Sequence, residues 1–124
     1  MAKRLAIVED NLDNLLLVEA ILGGRYELYK YQDSFLALEE IKHIKPQAIL
    51  MDISMPVMDG VELMKKLKTD PETTNIPIIA LTAHAMEGDR NRYINLGFDD
   101  YLSKPIFDEK FLVQVIESHI GKTV

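Results

Sequence analysis

The chain has 124 residues, 48% of them hydrophobic, and a formal net charge of -6 at pH 7. This length suits one domain with its own core, and the acidic balance argues against nucleic acid or an anionic membrane surface as a direct partner. The absence of cysteine excludes disulfides and thiolate metal sites, and no apolar stretch reaches the roughly 18 residues of a membrane span. We therefore expect a cytoplasmic protein with a single domain over residues 1–124 and no output domain.

The first half of the chain predicts three strands and two helices. Residues 4–8 predict a strand, and residues 9–14 predict the loop and the start of a helix that extends through Leu22 and ends at Gly23-Gly24. Residues 26–31 alternate in part, which is typical of a strand nearer a sheet edge. Ser34 is expected to cap a second helix that Pro46 closes, with these apolar residues at helical spacing: Phe35, Leu38, Ile41 and Ile44. Residues 48–51 then form a short apolar run, which predicts a strand buried on both faces.

The second half repeats the alternation. Residues 61–68 predict a short helix, residues 78–81 a fourth strand, and the next helix is expected to turn Tyr93 and Ile94 inward before it stops at Gly97. Residues 100–103 predict a fifth strand and residues 108–120 a last helix, whose apolar face is expected to hold Phe111, Leu112, Val115, Ile116 and Ile120. Five strand–helix pairs, (βα)5, indicate an α/β fold with a parallel sheet, helices on both faces and right-handed crossovers.

Carboxylates follow two of the predicted strands directly. Asp52 ends the apolar run of residues 48–51, and Glu9-Asp10 ends the run of the first strand. The carboxyl ends of parallel strands meet at one edge of the sheet, where open α/β folds keep their sites. Carboxylates brought together there repel one another unless a cation lies among them. Asp52 is therefore the predicted chemical centre, and Glu9 and Asp10 are predicted to hold a metal beside it.

Two further strand ends supply the rest of a phosphoryl-transfer site. Lys104 follows the fifth strand and could place a positive charge on a phosphate oxygen, while Thr82 follows the fourth and could donate its hydroxyl. Mg²⁺ suits the hard oxygen ligands of Glu9 and Asp10 and would neutralise charge as Asp52 attacks phosphorus. Asp33 also ends a strand, but that strand is expected at an edge, so we leave Asp33 outside the site.

The order and spacing of these motifs resemble the receiver domain of two-component response regulators, chemotaxis type. The matching motifs are Glu9-Asp10, the stretch 52–60 with Met55-Pro56 and Asp59-Gly60, Thr82-Ala83, Tyr101, and Lys104-Pro105. The resemblance covers essentially the whole chain and implies the flavodoxin-like strand order 2-1-3-4-5. The order Val8-Glu9-Asp10-Asn11, in a chain with one receiver, looks most like the single-domain regulators that control cell cycle or cell polarity.

The resemblance also implies the roles of residues and partners. Asp52 would be phosphorylated by a histidine kinase or a histidine phosphotransfer protein and would signal to a downstream target protein. The chain would catalyse only its own phosphorylation and dephosphorylation. Mg²⁺ would be bound by Asp10, Asp52 and the Ser54 backbone carbonyl, with Glu9 acting largely through water. The switch would comprise Thr82, Ala83, Tyr101 and Pro105, the last preceded by a cis bond.

Other interpretations remain open at this point. Each strand-end residue taken alone could be a helix cap or turn residue, and His43, His84 and His119 lack metal-ligand spacing. A flavodoxin-like cofactor binder would share the architecture, but the acidic loop after the first strand would repel its phosphate. An Mg²⁺-dependent aspartyl-phosphate hydrolase would share the nucleophile, although Ser54 stands where such enzymes carry a second Asp. A third alternative is a receiver-like module that binds partners without phosphorylation. The leucines of the first helix fit either the core or a docking surface.

Overall fold

Strands and helices alternate along the whole chain. The computed structural model describes residues 3–83, 89–104 and 108–121. The elements are β1 (Arg4–Val8), α1 (Leu12–Leu22), β2 (Glu27–Tyr31), α2 (Ser34–Ile44), β3 (Ala48–Asp52), α3 (Gly60–Thr69), β4 (Ile78–Thr82), α4 (Asp89–Leu96), β5 (Asp100–Ser103) and α5 (Glu109–Ile120). The predicted (βα)5 alternation is confirmed.

The five strands form one parallel sheet in the order β2-β1-β3-β4-β5. The predicted order is confirmed, and β2 lies at an edge as expected. β3 sits in the centre and pairs with β1 on one side and β4 on the other. Because all strands run the same way, the carboxyl ends of β1, β3, β4 and β5 share one edge of the sheet. That edge is where Glu9, Asp52, Thr82 and Lys104 emerge.

The core lies in two layers, one on each face of the sheet. Every residue of β3 and β4 is buried, as expected for central strands covered on both faces. Alternate residues point to opposite faces, so Ile49 and Met51 pack with residues of α2, α3 and α4. Leu50 packs in the other layer, which α1 and α5 cover. Helices on both faces confirm the doubly wound architecture.

Two helix faces differ from the sequence expectation. Asp33, rather than Ser34, caps α2, because its carboxylate accepts hydrogen bonds from the backbone N–H groups of Phe35 and Leu36. Ser34 is buried instead, and Phe35 is 55% exposed. On α5, Phe111 is 52% exposed, and Val113 takes a buried place beside Leu112 and Ile116. Helical spacing alone therefore placed both phenylalanines on the wrong face.

The leucines of α1 divide between the core and the surface. Leu15 is buried with Val18 and Leu22, whereas three others stay exposed to between 42% and 52%: Leu12, Leu16 and Leu17. The core interpretation is therefore correct for Leu15, and docking through the exposed leucines stays a prediction. Across the described residues, no helix has both the length and the apolarity needed to cross a membrane.

Candidate functional site

Asp52 is the last residue of β3 and is only 3% exposed. Its Oδ1 atom accepts a hydrogen bond of 3.2 Å from the Ser54 backbone N–H, so the loop after the strand folds back over the carboxylate. α3 begins at Gly60, and a Cβ atom at this position would lie 2.3 Å from the Asp52 carbonyl oxygen. Only glycine permits this approach, which brings the start of α3 against the end of β3.

The acidic residues predicted to share the site do lie together. Ligand atoms of Glu9, Asp10 and Asp52 are all within 4.8 Å of one another, and this is the one such group among the described residues. Glu9 is 1% exposed, and its Oε2 atom accepts a hydrogen bond of 3.2 Å from the Asn11 N–H. The Gln32 side-chain amide donates to the Asp10 carbonyl at 3.2 Å. The β1–α1 loop is thereby tied to the loop after β2.

Lys104 supplies a positive charge inside this acidic group. Its ammonium forms an ion pair with Glu9 Oε1 and lies 3.0 Å from Asp52 Oδ1. The side chain is 13% exposed, so the pairing is screened little by water. Its backbone N–H donates to the Thr82 carbonyl at 2.8 Å, which fixes the start of the β5–α5 loop to the end of β4.

The electrostatics show that the carboxylates are incompletely neutralised. Burial raises the pKa of Asp52, Glu9 raises it further, and the opposing effect of Lys104 is too small to reverse the rise. Burial and then the neighbouring Asp52 raise the pKa of Asp10. Burial by itself would lower the pKa of Lys104, but its bonds to Glu9 and Asp52 outweigh that and raise it. One ammonium is thus paired with two of the three carboxylates, and an excess of negative charge remains.

The donor set fits a hard divalent cation. Carboxylate oxygens are the ligands that Mg²⁺ and Ca²⁺ prefer, and a divalent charge would offset the repulsion that raises the pKa of Asp10 and Asp52. Asp10 is partly exposed, and Ser54, which follows Asp52 by two residues, is exposed, so the group is open to solvent at these residues. Together the buried nucleophilic carboxylate, the ammonium and the open acidic side could accept an electrophilic phosphorus atom.

Of the predicted switch residues, Thr82 and Ala83 lie at the end of β4, and Tyr101 lies on β5. Thr82 is fully buried at the end of β4 and pairs in register with Ser103, while Ala83 is exposed after it. Tyr101 on β5 is partly buried. Pro105 with its predicted cis bond, and His84, lie outside the described residues.

The structure adds a residue to this region that the sequence had assigned only to the core. Tyr93 on α4 is buried, and its ring stacks on that of Tyr101, with centroids 5.6 Å apart and planes at 13°. The ring of Phe98 also meets the Tyr93 ring, edge-on. The helical pattern indicated that Tyr93 points inward, but it carried no signal that the inward ring would meet Tyr101.

Comparison with known proteins identifies the family. The family model for the response regulator receiver domain matches residues 5–117. This chain belongs to the response regulator receiver family. It is 39% identical over 122 residues to the polar-differentiation response regulator DivK of Brucella anthropi, and the match covers 98% of each chain.

Two solved structures of receiver proteins share the fold closely. The receiver domain of the sensor histidine kinase PA1611 from Pseudomonas aeruginosa, which has a magnesium ion coordinated in its active-site cleft, superposes with a TM-score of 0.88 at 33% identity. A putative response regulator from Chloroflexus aurantiacus gives a TM-score of 0.89 at 29% identity. Each match covers 98% of this chain and 100% of the other. Receiver domains are the phosphoacceptors of two-component signalling and interact with histidine kinases and downstream effectors.

Proposed function

We propose that Asp52 is the phosphoacceptor of this receiver and that Lys104, Thr82 and a Mg²⁺ ion assist the transfer. The observation that carries the proposal is the buried Asp52 carboxylate, which has an ammonium 3.0 Å away on one oxygen and two further carboxylates beside it. Burial and Glu9 raise the pKa of Asp52 despite this ammonium, which is common for carboxylates at functional sites.

The residues divide the chemistry of transfer among them. Ionised Asp52 attacks phosphorus, so an O–P bond forms as the N–P bond to the donor histidine breaks. Lys104 stays protonated and, as the phosphoryl group arrives, attracts one of its oxygens. The Thr82 hydroxyl donates to another. The chain thus catalyses its own phosphorylation. Water attacking the same phosphorus would break the O–P bond to Asp52, release inorganic phosphate and restore the carboxylate.

Mg²⁺ is the cofactor that we propose for the acidic group. Its ligands would be Asp10, Asp52 and the Ser54 backbone carbonyl, with Glu9 contributing largely through water. Support comes from the three converging carboxylates and from the magnesium in the cleft of the PA1611 receiver. When bound, the ion would neutralise the charge of both the phosphoryl group and the carboxylate that receives it.

The phosphodonor is proposed to be a histidine kinase or a histidine phosphotransfer protein that docks on α1. α1 begins three residues after Glu9 and exposes Leu12, Leu16 and Leu17. We expect Leu16→Glu to slow transfer from a donor protein about tenfold while leaving labelling by acetyl phosphate unchanged. Leu15 is the matched control: because it is buried, Leu15→Glu should lower the melting temperature instead. Unimpaired transfer to a folded Leu16→Glu variant would refute docking through this face.

The output is proposed to be a change in affinity for a downstream target in the cytoplasm. Thr82 would move toward the phosphoryl group, Ala83 would follow, and the Tyr101 ring would turn, with Pro105 completing the switch. By similarity to DivK, the process would be the control of cell polarity or differentiation.

The central test is phosphorylation by a small-molecule donor. Acetyl phosphate with Mg²⁺ should add one phosphoryl group to the wild type, and Asp52→Asn should abolish the addition. Borohydride reduction followed by peptide mapping locates the acyl phosphate. Labelling at Asp59, or at a serine or threonine, would overturn the assignment of Asp52. Continuous turnover of phosphate esters would instead indicate a hydrolase.

A further inference from the structure

The loop between β3 and α3, residues 53–59, is closed on itself beside Asp52. The Ile53 carbonyl accepts hydrogen bonds from the N–H of Gly60 at 2.9 Å and from that of Met55 at 3.2 Å. The side chains of Met55 and Met58 are buried in the core layer of α2, α3 and α4. The loop is therefore anchored at its base and by these two methionines.

Between the two methionines the backbone is strained. Val57 has φ +66°, in the left-handed region, and it is one of two non-glycine residues with positive φ in the described parts of the chain. A β-branched side chain makes this conformation unfavourable. Val57 is also 90% exposed, so its own side chain gains no packing that would offset the strain. Contacts from elsewhere must hold the loop in this shape.

Ser34 makes such a contact from the neighbouring helix. Its hydroxyl donates to the Met58 carbonyl at 2.8 Å and lies 3.4 Å from Met55 Sδ. Ser34 is 4% exposed, so the bond is shielded from water, and the Met58 carbonyl would lose its buried donor if the hydroxyl were removed. Asp33 caps α2, which leaves the Ser34 hydroxyl available to the loop.

We propose that Ser34 is a positioning residue for the phosphoacceptor site, because it holds the strained loop of residues 53–59 in the shape that serves Asp52. The same loop carries the Ser54 N–H that binds Asp52 Oδ1 at 3.2 Å, and the Ser54 carbonyl that is the proposed metal ligand. If the Ser34 bond to Met58 is lost, the loop is released only four residues from the Ser54 carbonyl. The inference rests on the proposed function for the part that concerns Mg²⁺.

There is space for the released loop to move. A surface cavity of about 160 Å³ lies between the start of α2 and the loop, and Ser34, Met55 and Val57 are among its lining residues. On the side of this cavity, the backbone at Val57 can relax without meeting a packed side chain. Loss of the Ser34 hydroxyl should therefore displace the loop rather than merely leave a carbonyl unpaired.

The test compares Ser34→Ala with Thr73→Val. The Thr73 hydroxyl donates an equivalent bond, 2.5 Å long, to the carbonyl of Leu67. Thr73 and Leu67 are both buried, at the end of α3 away from the loop of residues 53–59. Each variant loses one buried hydroxyl–carbonyl bond, so both should melt at a lower temperature. Only Ser34→Ala should weaken Mg²⁺ binding, measured by calorimetry well below the melting transition. We expect a five- to tenfold rise in Kd, equivalent to about 1 to 1.4 kcal/mol.

A second measurement uses the metal-free protein. Amide hydrogen exchange at Met58 and Gly60 should become roughly tenfold faster in Ser34→Ala and stay unchanged in Thr73→Val. Unchanged exchange at these amides would show that Ser34 does not hold the loop. A Kd for Mg²⁺ equal to that of the wild type would show that the held shape does not serve the site. Either result overturns the proposal.

The contribution of strain has its own variant. Asparagine adopts the left-handed region more readily than valine, so Val57→Asn should raise the melting temperature. Combined with Ser34→Ala, it should recover part of the Mg²⁺ affinity that Ser34→Ala loses. Absence of any recovery would refute the link between strain and position. If the wild type itself bound no Mg²⁺, the proposed metal site would fall. The exchange rates of the metal-free protein would still decide whether Ser34 holds the loop.

Discussion

Two aspartates at opposite ends of the sheet show how differently one fold treats the same side chain. Asp52 ends β3, whereas Asp100 begins β5. Asp100 accepts bonds from the Tyr101 N–H at 2.8 Å and from Arg90 at 3.2 Å, and lies 2.8 Å from His119 Nε2. Burial would raise the pKa of Asp100, but these partners outweigh burial and lower it. Around Asp52 the balance is reversed, and its pKa is raised.

The difference separates a stabilising carboxylate from the one that we propose to be functional. The partners of Asp100 join α4, β5 and α5, so its charge contributes to stability. Asp52 shares a single ammonium with Glu9, and the charge left over destabilises the metal-free protein. Perturbed carboxylates of this kind cluster at functional sites, where a ligand or substrate supplies the missing charge. The following experiments should increase or abolish the electrostatic difference between the Asp52 end and the Asp100 end of the sheet.

The largest effect is expected from Lys104→Met. It removes the ammonium that contacts two buried carboxylates, and breaking such a pair costs about 3 kcal/mol or more. Urea denaturation at pH 7 in EDTA measures the loss, which should shrink at lower pH as Asp52 becomes protonated. His119→Ala is the control at the other end, where Arg90 remains and the expected loss is about 1 kcal/mol or less. Equal losses in the free energy of unfolding for the two variants would contradict the difference between the two ends.

Mg²⁺ should stabilise the protein by nearly as much. A ligand that binds only the folded state adds about 2.7 kcal/mol to the free energy of unfolding at a hundredfold excess over Kd. Melting with Mg²⁺ and with EDTA measures the shift, and Asp10→Asn should remove most of it. Identical midpoints at millimolar Mg²⁺ would refute the metal site.

Neutralising one carboxylate at each end should change stability in opposite directions. In EDTA at pH 7, Asp10→Asn should stabilise the protein because it relieves repulsion, and Asp100→Asn should destabilise it. Each change is expected to be about 0.5–1 kcal/mol, since both groups are partly screened by solvent. The same sign for both variants would show that the two ends are electrostatically alike.

The two ends should also differ in how pH affects stability. Because the folded pKa values of Asp10 and Asp52 are raised above 3.8, their unfavourable contribution is absent below that pH and grows as pH rises through the folded values. Asp100, whose folded pKa is lowered, contributes stability above 3.8 that is lost as pH falls through its folded value. Asp52→Asn should therefore flatten the curve above pH 3.8, and Asp100→Asn the curve below it. Denaturation in EDTA across the acid range measures both slopes.

The smallest change in stability, but a clear change in signalling, is expected from Thr82→Ala. We expect beryllofluoride to shift the Tyr101 amide resonance in the wild type. The variant should still bind beryllofluoride at Asp52, but this shift should largely disappear. Tyr101 lies next to Asp100, so this resonance reports whether the site communicates with the other end of β5. A full shift in Thr82→Ala would show that the signal leaves the site by another route.

The sequence pattern by itself determined the strands and the position of the acidic group, whereas the strand order came from the resemblance to receiver domains. Short apolar runs that end in polar residues determine both the strand and where it stops, so the local pattern alone places Glu9, Asp52, Thr82 and Lys104 at strand ends. A parallel sheet gathers those ends at one edge. The convergence of Glu9, Asp10, Asp52 and Lys104 therefore followed from local signals and one rule of topology.

Only the tertiary structure decided which face of each helix is covered and which charges find partners. α1 and α2 have more apolar residues than one face can bury, so packing chose Leu15 over Leu16 and left Phe35 exposed. Ser34 suited a cap as well as the core, and the competing cap at Asp33 settled its role. The sequence does not distinguish the pKa values of Asp52 and Asp100, because these values depend largely on residues distant along the chain. Those neighbours meet only when the helices close over the sheet.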